Sequence, residues 1–194
     1  MKTKRTDRRI EKTIKATETA YFELLSEKKN DRITITELAD RANIDRKTFY
    51  LHYNSVDDVI HRHSRATVAR IMAELENKGF FNDVLDVSVF FETVLAVREE
   101  ELQEFEVLQD PEITALAWRH AENNLKDMLS DIAYRFFDEP DPEMELSIKF
   151  YTAGIMSIFV SYIRQEIDID PHELVRILSD LTENGISNKL KSDK

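Results

Sequence analysis

Thr34-Ile35-Thr36-Glu37-Leu38-Ala39-Asp40-Arg41-Ala42-Asn43-Ile44-Asp45-Arg46-Lys47-Thr48-Phe49-Tyr50-Leu51-His52-Tyr53 is the stretch whose reading decides the fold. Thr34 stands three residues before Glu37, the spacing of a capping box that opens a helix. That helix is short and turns Leu38, Ala39 and Ala42 inward. Asn43 tolerates the left-handed backbone of a tight turn, and Asp45 is placed to cap a second short helix. In it Phe49 and Tyr53 sit four apart on the buried side, which leaves Arg46, Lys47, Tyr50 and Asn54 pointing outward. Two short helices joined by a tight turn make a helix-turn-helix.

The flanks extend the same pattern. Ile10, Ile14, Thr17, Tyr21, Leu24 and Leu25 share one face of a helix expected over Asp7–Lys28. Ser55-Val56-Asp57-Asp58 supplies a cap with acids in the first turn, starting a long helix to about Lys78. Beyond Gly79, a helix is expected over Asn82–Gln109, followed by one or two helices from Asp110-Pro111-Glu112 to Asp138. Glu139-Pro140-Asp141-Pro142-Glu143 reads as a loop. An apolar helix follows from about Met144 to Ile167, and Asp170-Pro171 opens a last one ending near Gly185. The tail Asn188–Lys194 is polar and expected to fray. With three glycines, four prolines and no sustained alternation, the fold class is all-α. It divides into an N-terminal three-helix head over residues 1–56 and a larger helical domain over 57–194.

Charge is distributed unevenly. The chain carries a net −11, yet residues 1–56 hold 13 Lys/Arg against 9 Asp/Glu, while 57–194 hold 14 against 29. Lys2, Lys4, Arg5, Arg8, Arg9, Lys12 and Lys15 concentrate the positive charge at the start. A local basic footprint governs nucleic-acid affinity, whatever the total charge. Cysteine is absent, which excludes disulfides and thiolate metal sites and fits a reducing compartment. The start lacks the apolar run of a signal peptide. No stretch is expected to reach the roughly 18 apolar residues of a membrane span. A cytoplasmic protein without a membrane partner is the expectation. Gly-rich phosphate loops, a nucleophile elbow and metal-ligand clusters are all missing, so neither an enzyme nor a cofactor is expected. His61 and His63, two apart on a helix, point in nearly opposite directions and cannot share a metal.

In helix-turn-helix units the second short helix lies in the major groove of DNA. Here the run Ile35–Tyr53, with its Thr-capped helix, Ala-rich turn and Thr48-Phe49-Tyr50-Leu51-His52-Tyr53 segment, resembles the signature of TetR/AcrR-family transcription regulators. The resemblance covers about residues 8–60. It implies that Thr36, Arg46, Lys47, Thr48, Tyr50, Leu51 and His52 meet bases or phosphates of duplex operator DNA. Tyr50 and His52 suit phosphates; Thr36, Arg46 and Lys47 suit base edges. The basic arm Lys2–Arg9, Lys4 and Arg5 included, would add phosphate or minor-groove contacts. The family often has Gly where Asn43 stands, Ser where Asp45 stands and a phosphate-binding Lys where Val56 stands. The first two replacements keep the structural role, though Asp45 brings a negative charge near the groove; the third removes a contact.

Past residue 60 the resemblance fades. What it implies there is a repressor acting as a homodimer paired through its last two long helices and released by an unknown small-molecule effector. Ala153, Ser157 and Ser161 form a small-residue stripe, with Gly154 in mid-helix, that permits close helix approach in a dimer seam or within one subunit. Leu174, Ile177, Leu178 and Leu181 form the apolar face of the last helix. Of the aromatics Phe90, Phe91, Trp118, Tyr134, Phe150, Tyr151, Phe159 and Tyr162, most are expected to be core. Phe91, Trp118, Tyr134 and Tyr151 are the candidates to line an effector cavity. The acidic run Arg98–Glu112 reads as a solvated helix face with Leu102, Phe105 and Leu108 inward. An alternative is a TetR-like coactivator or adaptor whose C-terminal domain binds a partner protein instead of a small molecule.

Overall fold

A computed structural model describes residues 3–28, 32–81, 86–136 and 141–185 of the chain. Every regular element among them is helical: α1 (Thr3–Lys28), α2 (Ile35–Arg41), α3 (Arg46–His52), α4 (Val56–Asn77), α5 (Val87–Glu104), a 3-10 turn (Glu106–Gln109), α6 (Pro111–Phe136), α7 (Pro142–Ile163) and α8 (Pro171–Asn184). They form two compact units, each discontinuous in sequence. One comprises residues 1–66 and 102–121, the other 67–101 and 122–194. α4, α5 and α6 therefore each contribute one stretch to either unit.

The core of the first unit takes in most of the side chains the periodicity singles out, adds Phe22, Val59 and Ile60, and leaves Ile10 exposed. Tyr21 and Leu24 of α1, Leu38 and Ala42 of α2, Phe49 and Tyr53 around α3, and Val59 and Ile60 of α4 are buried in one cluster. The local signals act as expected. Thr34 and Glu37 form a complete capping box, Asn43 is left-handed at φ 53°, Asp45 caps α3, and the Ser55 hydroxyl accepts from the Asp58 amide at 3.1 Å. α1 begins at Thr3, four residues before the expected start, so the segment expected to be a basic arm is helical from there.

Three residues from far along the chain complete this core. The single helix expected over Asn82–Gln109 is broken: α5 ends at Glu104, Phe105 adopts φ −122° and ψ 87°, and a 3-10 turn follows. The break turns Phe105 edge-on to Phe22, with centroids 5.2 Å apart, and to His63 at 5.3 Å. Leu108 and Ile113 join it in the cluster. Lys15 closes the edge with an ion pair to Glu104 at 2.8 Å.

In the second unit, Ile71 and Leu75 of α4, Phe91 and Val94 of α5, Met128 and Ile132 of α6, Phe159 and Ile163 of α7, and Leu174 and Leu178 of α8 are buried. Phe91 and Phe159 stack at 5.8 Å. Arg70 donates to the Val97 carbonyl at 2.8 Å, and Lys78 to the Thr93 hydroxyl at 2.8 Å, tying α4 to α5.

Four expectations for this region are corrected. The expected loop at 139–143 is already helical from Pro142, because Asp141 caps the helix and proline is tolerated at the first position, where no amide bond is needed. α7 ends at Ile163, not Ile167; Gln165 just beyond it adopts a left-handed φ of 56°. Phe150, expected in the core, is 75% exposed, and Tyr151, a candidate to line an effector cavity, is 36% exposed. Finally, α7 is long and apolar enough by length and composition to cross a membrane. Counting contiguous apolar residues misses this, because Thr152, Gly154, Ser157 and Ser161 interrupt the run without adding charge. Such a helix also suits a protein core, and Ile148, Met156, Phe159 and Ile163 are buried within the unit.

Candidate nucleic-acid interface

α3 is seven residues long, too short to be stable alone. Phe49, fully buried, holds it to the rest of the head, with Tyr53 tilted against it at 5.5 Å. That anchor fixes the rotation of the helix. Arg46, Lys47, Tyr50 and Leu51 are exposed on the other side, and Leu51 at 73% and Tyr50 at 51% protrude far for residues of their size.

Both ends of α3 are held. At its start the Asp45 carboxylate accepts from the Thr48 amide and the Thr48 hydroxyl, each at 2.8 Å. Those two bonds, the amide first, keep the Asp45 carboxyl below its usual range, so it is ionised at neutral pH. The Thr48 hydroxyl proton is thereby committed and its oxygen remains free to accept. At the other end Arg62 donates to the His52 carbonyl and lays its guanidinium over the Tyr53 ring at 5.3 Å. Burial, with the charge of Glu18, raises the Tyr53 phenol above its ordinary value. Its hydroxyl is buried without a hydrogen-bond partner.

α2 is held to α1 by ions. Arg41 makes two 2.8 Å bonds to Glu27 and a third to Glu23 at 3.3 Å. Lys28 pairs with Glu37 at 2.7 Å. Lys28, together with the hydroxyl and amide of Thr34, holds the Glu37 carboxyl down at about 2. Thr36, next to that pair, is exposed.

The candidate DNA contacts thus separate clearly. Thr36, Arg46, Lys47, Tyr50 and Leu51 are exposed, and Thr48 and His52 half-buried, all within α2 and α3 of the first unit. Lys4 and Arg5 fall on the first turn of α1, and their side chains lie outside the described residues. Arg62 escapes sequence reasoning because it lies nine residues beyond Tyr53, where the motif ends; its only signal is a cation ten residues after His52.

The candidate effector residues are not brought together in the same way. Phe91 is fully buried and Tyr151 lies at the surface of α7, while the side chains of Trp118 and Tyr134 lie outside the described residues. An open groove between α5 and α8, lined by Ser88, Glu92, His172, Arg176, Asp180 and Glu183 among others, is polar and contains none of the four. His63 packs between Phe22 and Phe105 and faces Glu18 at 3.5 Å, whereas His61 is exposed.

The chain is an all-α protein with an N-terminal helix-turn-helix. No protein-family model matches the sequence, and no curated protein matches it. Solved structures do resemble it. The fatty acid degradation regulator FadR from Bacillus halodurans is 15% identical, with a TM-score of 0.54 over 90% of this chain and 96% of that one. The TetR family transcriptional regulator PfmR from Thermus thermophilus is 18% identical, with a TM-score of 0.49 over 88% and 98%. A TetR-family member from Streptomyces coelicolor is 16% identical, with a TM-score of 0.45 over 87% and 90%. At such identity, the likeness to the Bacillus regulator establishes a shared fold.

Proposed function

We propose that this chain is a TetR-like transcription regulator of the cytoplasm, most simply a repressor, that binds palindromic operator DNA as a homodimer and leaves it when an effector binds. The observation that carries this reading is the rotation of α3, which buries Phe49 and presents Arg46, Lys47, Tyr50 and Leu51 together. The short recognition helix of such a unit enters the major groove, and cations on it neutralise phosphates or reach guanine acceptors. Residues 1–56 serve as the reading head and 57–194 as the dimerisation and effector part. No catalytic role is assigned to any residue.

Operator selection from random duplexes tests the reading. A defined site should emerge, and affinity for it should fall steeply with salt, as release of counterions from several phosphates requires. Equal affinity for selected and random duplexes at physiological salt would reject specific regulation.

The homodimer is assigned to α7, whose outer stripe runs through Leu146, Phe150, Ala153, Gly154 and Ser157, all exposed. A Cβ added at Gly154 would meet nothing within 4 Å, so the stripe has room for a second helix at close approach. Leu174 and Leu178 of α8 are already buried within the subunit, which leaves that helix a smaller share of the seam. Ser157→Glu should yield monomers in sedimentation while the thermal transition stays near its place. A stable, DNA-competent dimer of that variant would put the seam elsewhere.

The effector is a small apolar molecule bound near Trp118, the only tryptophan. Residue 118 belongs to the stretch of α6 counted with the first unit, so occupation there acts on the unit that carries α3. Release of DNA requires only that the effector prefer the conformation in which the two heads no longer match successive grooves.

A further inference from the structure

Among the described residues of the head Leu51 is the most exposed large apolar side chain, at 73%, and the helix geometry makes it central to the outward face. At about 100° per residue, Lys47 and Leu51 lie roughly 40° apart and nearly opposite Phe49, whereas Tyr50 and Arg46 lie to one side. An isobutyl group can neither donate to nor accept from a phosphate. It sits one turn from a lysine and two turns from the acid that caps the helix, which makes an apolar protein partner a poor fit. In a major groove, by contrast, the C5 methyl of thymine is the apolar feature on offer, and guanine N7 and O6 are the acceptors that suit a lysine.

We propose that Leu51 reads a thymine methyl and Lys47 the acceptor edge of a nearby guanine, which presupposes the DNA-reading role of α3. The two side chains leave the helix about 6 Å apart along its axis, against a rise of about 3.4 Å per base pair. The thymine and the guanine therefore fall within two base pairs of each other in each half-site. Leu51 sets sequence preference without adding charge, so its contribution is insensitive to salt, unlike that of Lys47.

The test uses the full chain and the duplex it selects from a random pool. Each thymidine is replaced in turn by deoxyuridine, which removes only the methyl group, and each guanine by 7-deazaguanine, which removes N7. One thymidine per half-site should lose about fourfold in affinity on demethylation, the worth of one buried methyl group, with a sensitive guanine within two base pairs. Leu51→Ala, a surface change, should bind the thymidine and deoxyuridine duplexes equally yet still respond to 7-deazaguanine, and Lys47→Ala should show the reverse. A selective wild-type protein indifferent to every thymine methyl would overturn the assignment, as would a Leu51→Ala protein that keeps the methyl effect. Failure to select any duplex would overturn the DNA-reading role and the assignment together.

Discussion

A chain ending at Ala66 should lack a cooperative thermal transition, although it retains all of α1, α2 and α3 and the start of α4. Phe105, Leu108 and Ile113 are each nearly inaccessible and lie in the same cluster as Phe22, Leu38 and Phe49. Burying a large apolar side chain contributes about 1.5–3 kcal/mol, so removing three withdraws roughly 5–9 kcal/mol. Whole domains are stable by only about 5–15 kcal/mol. Circular dichroism on heating is the measurement. A sharp transition in the shortened chain, at a temperature near that of the full protein, would show that residues 102–121 merely cover the head.

The second large effect concerns the anchor of α3. Phe49→Ala should cost about 3–5 kcal/mol, the range for emptying a fully buried phenylalanine site, and should abolish operator binding with it. Tyr50→Phe, one position on, removes only a hydroxyl from a side chain that is half exposed. It should leave the melting temperature unchanged and weaken DNA binding through a lost phosphate contact. Melting curves and operator titrations of both variants decide the matter. The opposite ranking would mean that α3 is rotated about its axis relative to the arrangement described.

Much of this is legible in the sequence, for a local reason. Capping by Thr34, Asp45 and Ser55 involves partners three residues away, and the left-handed Asn43 is demanded by a turn of its own neighbours. Such signals need no knowledge of tertiary contacts, so α2, α3 and the start of α4 could be drawn closely. The surface of α3 followed, because burying Phe49 and Tyr53 leaves no choice about what faces out. Phe105 shows the limit. Leu102, Phe105 and Leu108 keep helical spacing, and the break at Phe105 answers to Phe22 and His63, which lie more than forty residues earlier. Phe150 shows another: an apolar residue on an apolar helix is indistinguishable by pattern from its buried neighbours Ile148 and Met156. Candidate contacts on the head were within reach of sequence reasoning, whereas those for an effector, spread over α5, α6 and α7, depend on packing that periodicity does not report.

The late position of Phe105 also has a consequence in time. Chains grow at about 5–20 residues per second, so the stretch that finishes the first unit emerges roughly 3–10 s after Ala66. During that interval Phe22, Leu38 and Phe49 have no complete set of neighbours and remain open to water or to a holding chaperone. A nascent head therefore cannot close its core while the protein is still short. Commitment of the head waits for the corner between α5 and α6, which arrives only after most of α4 and α5 has been made.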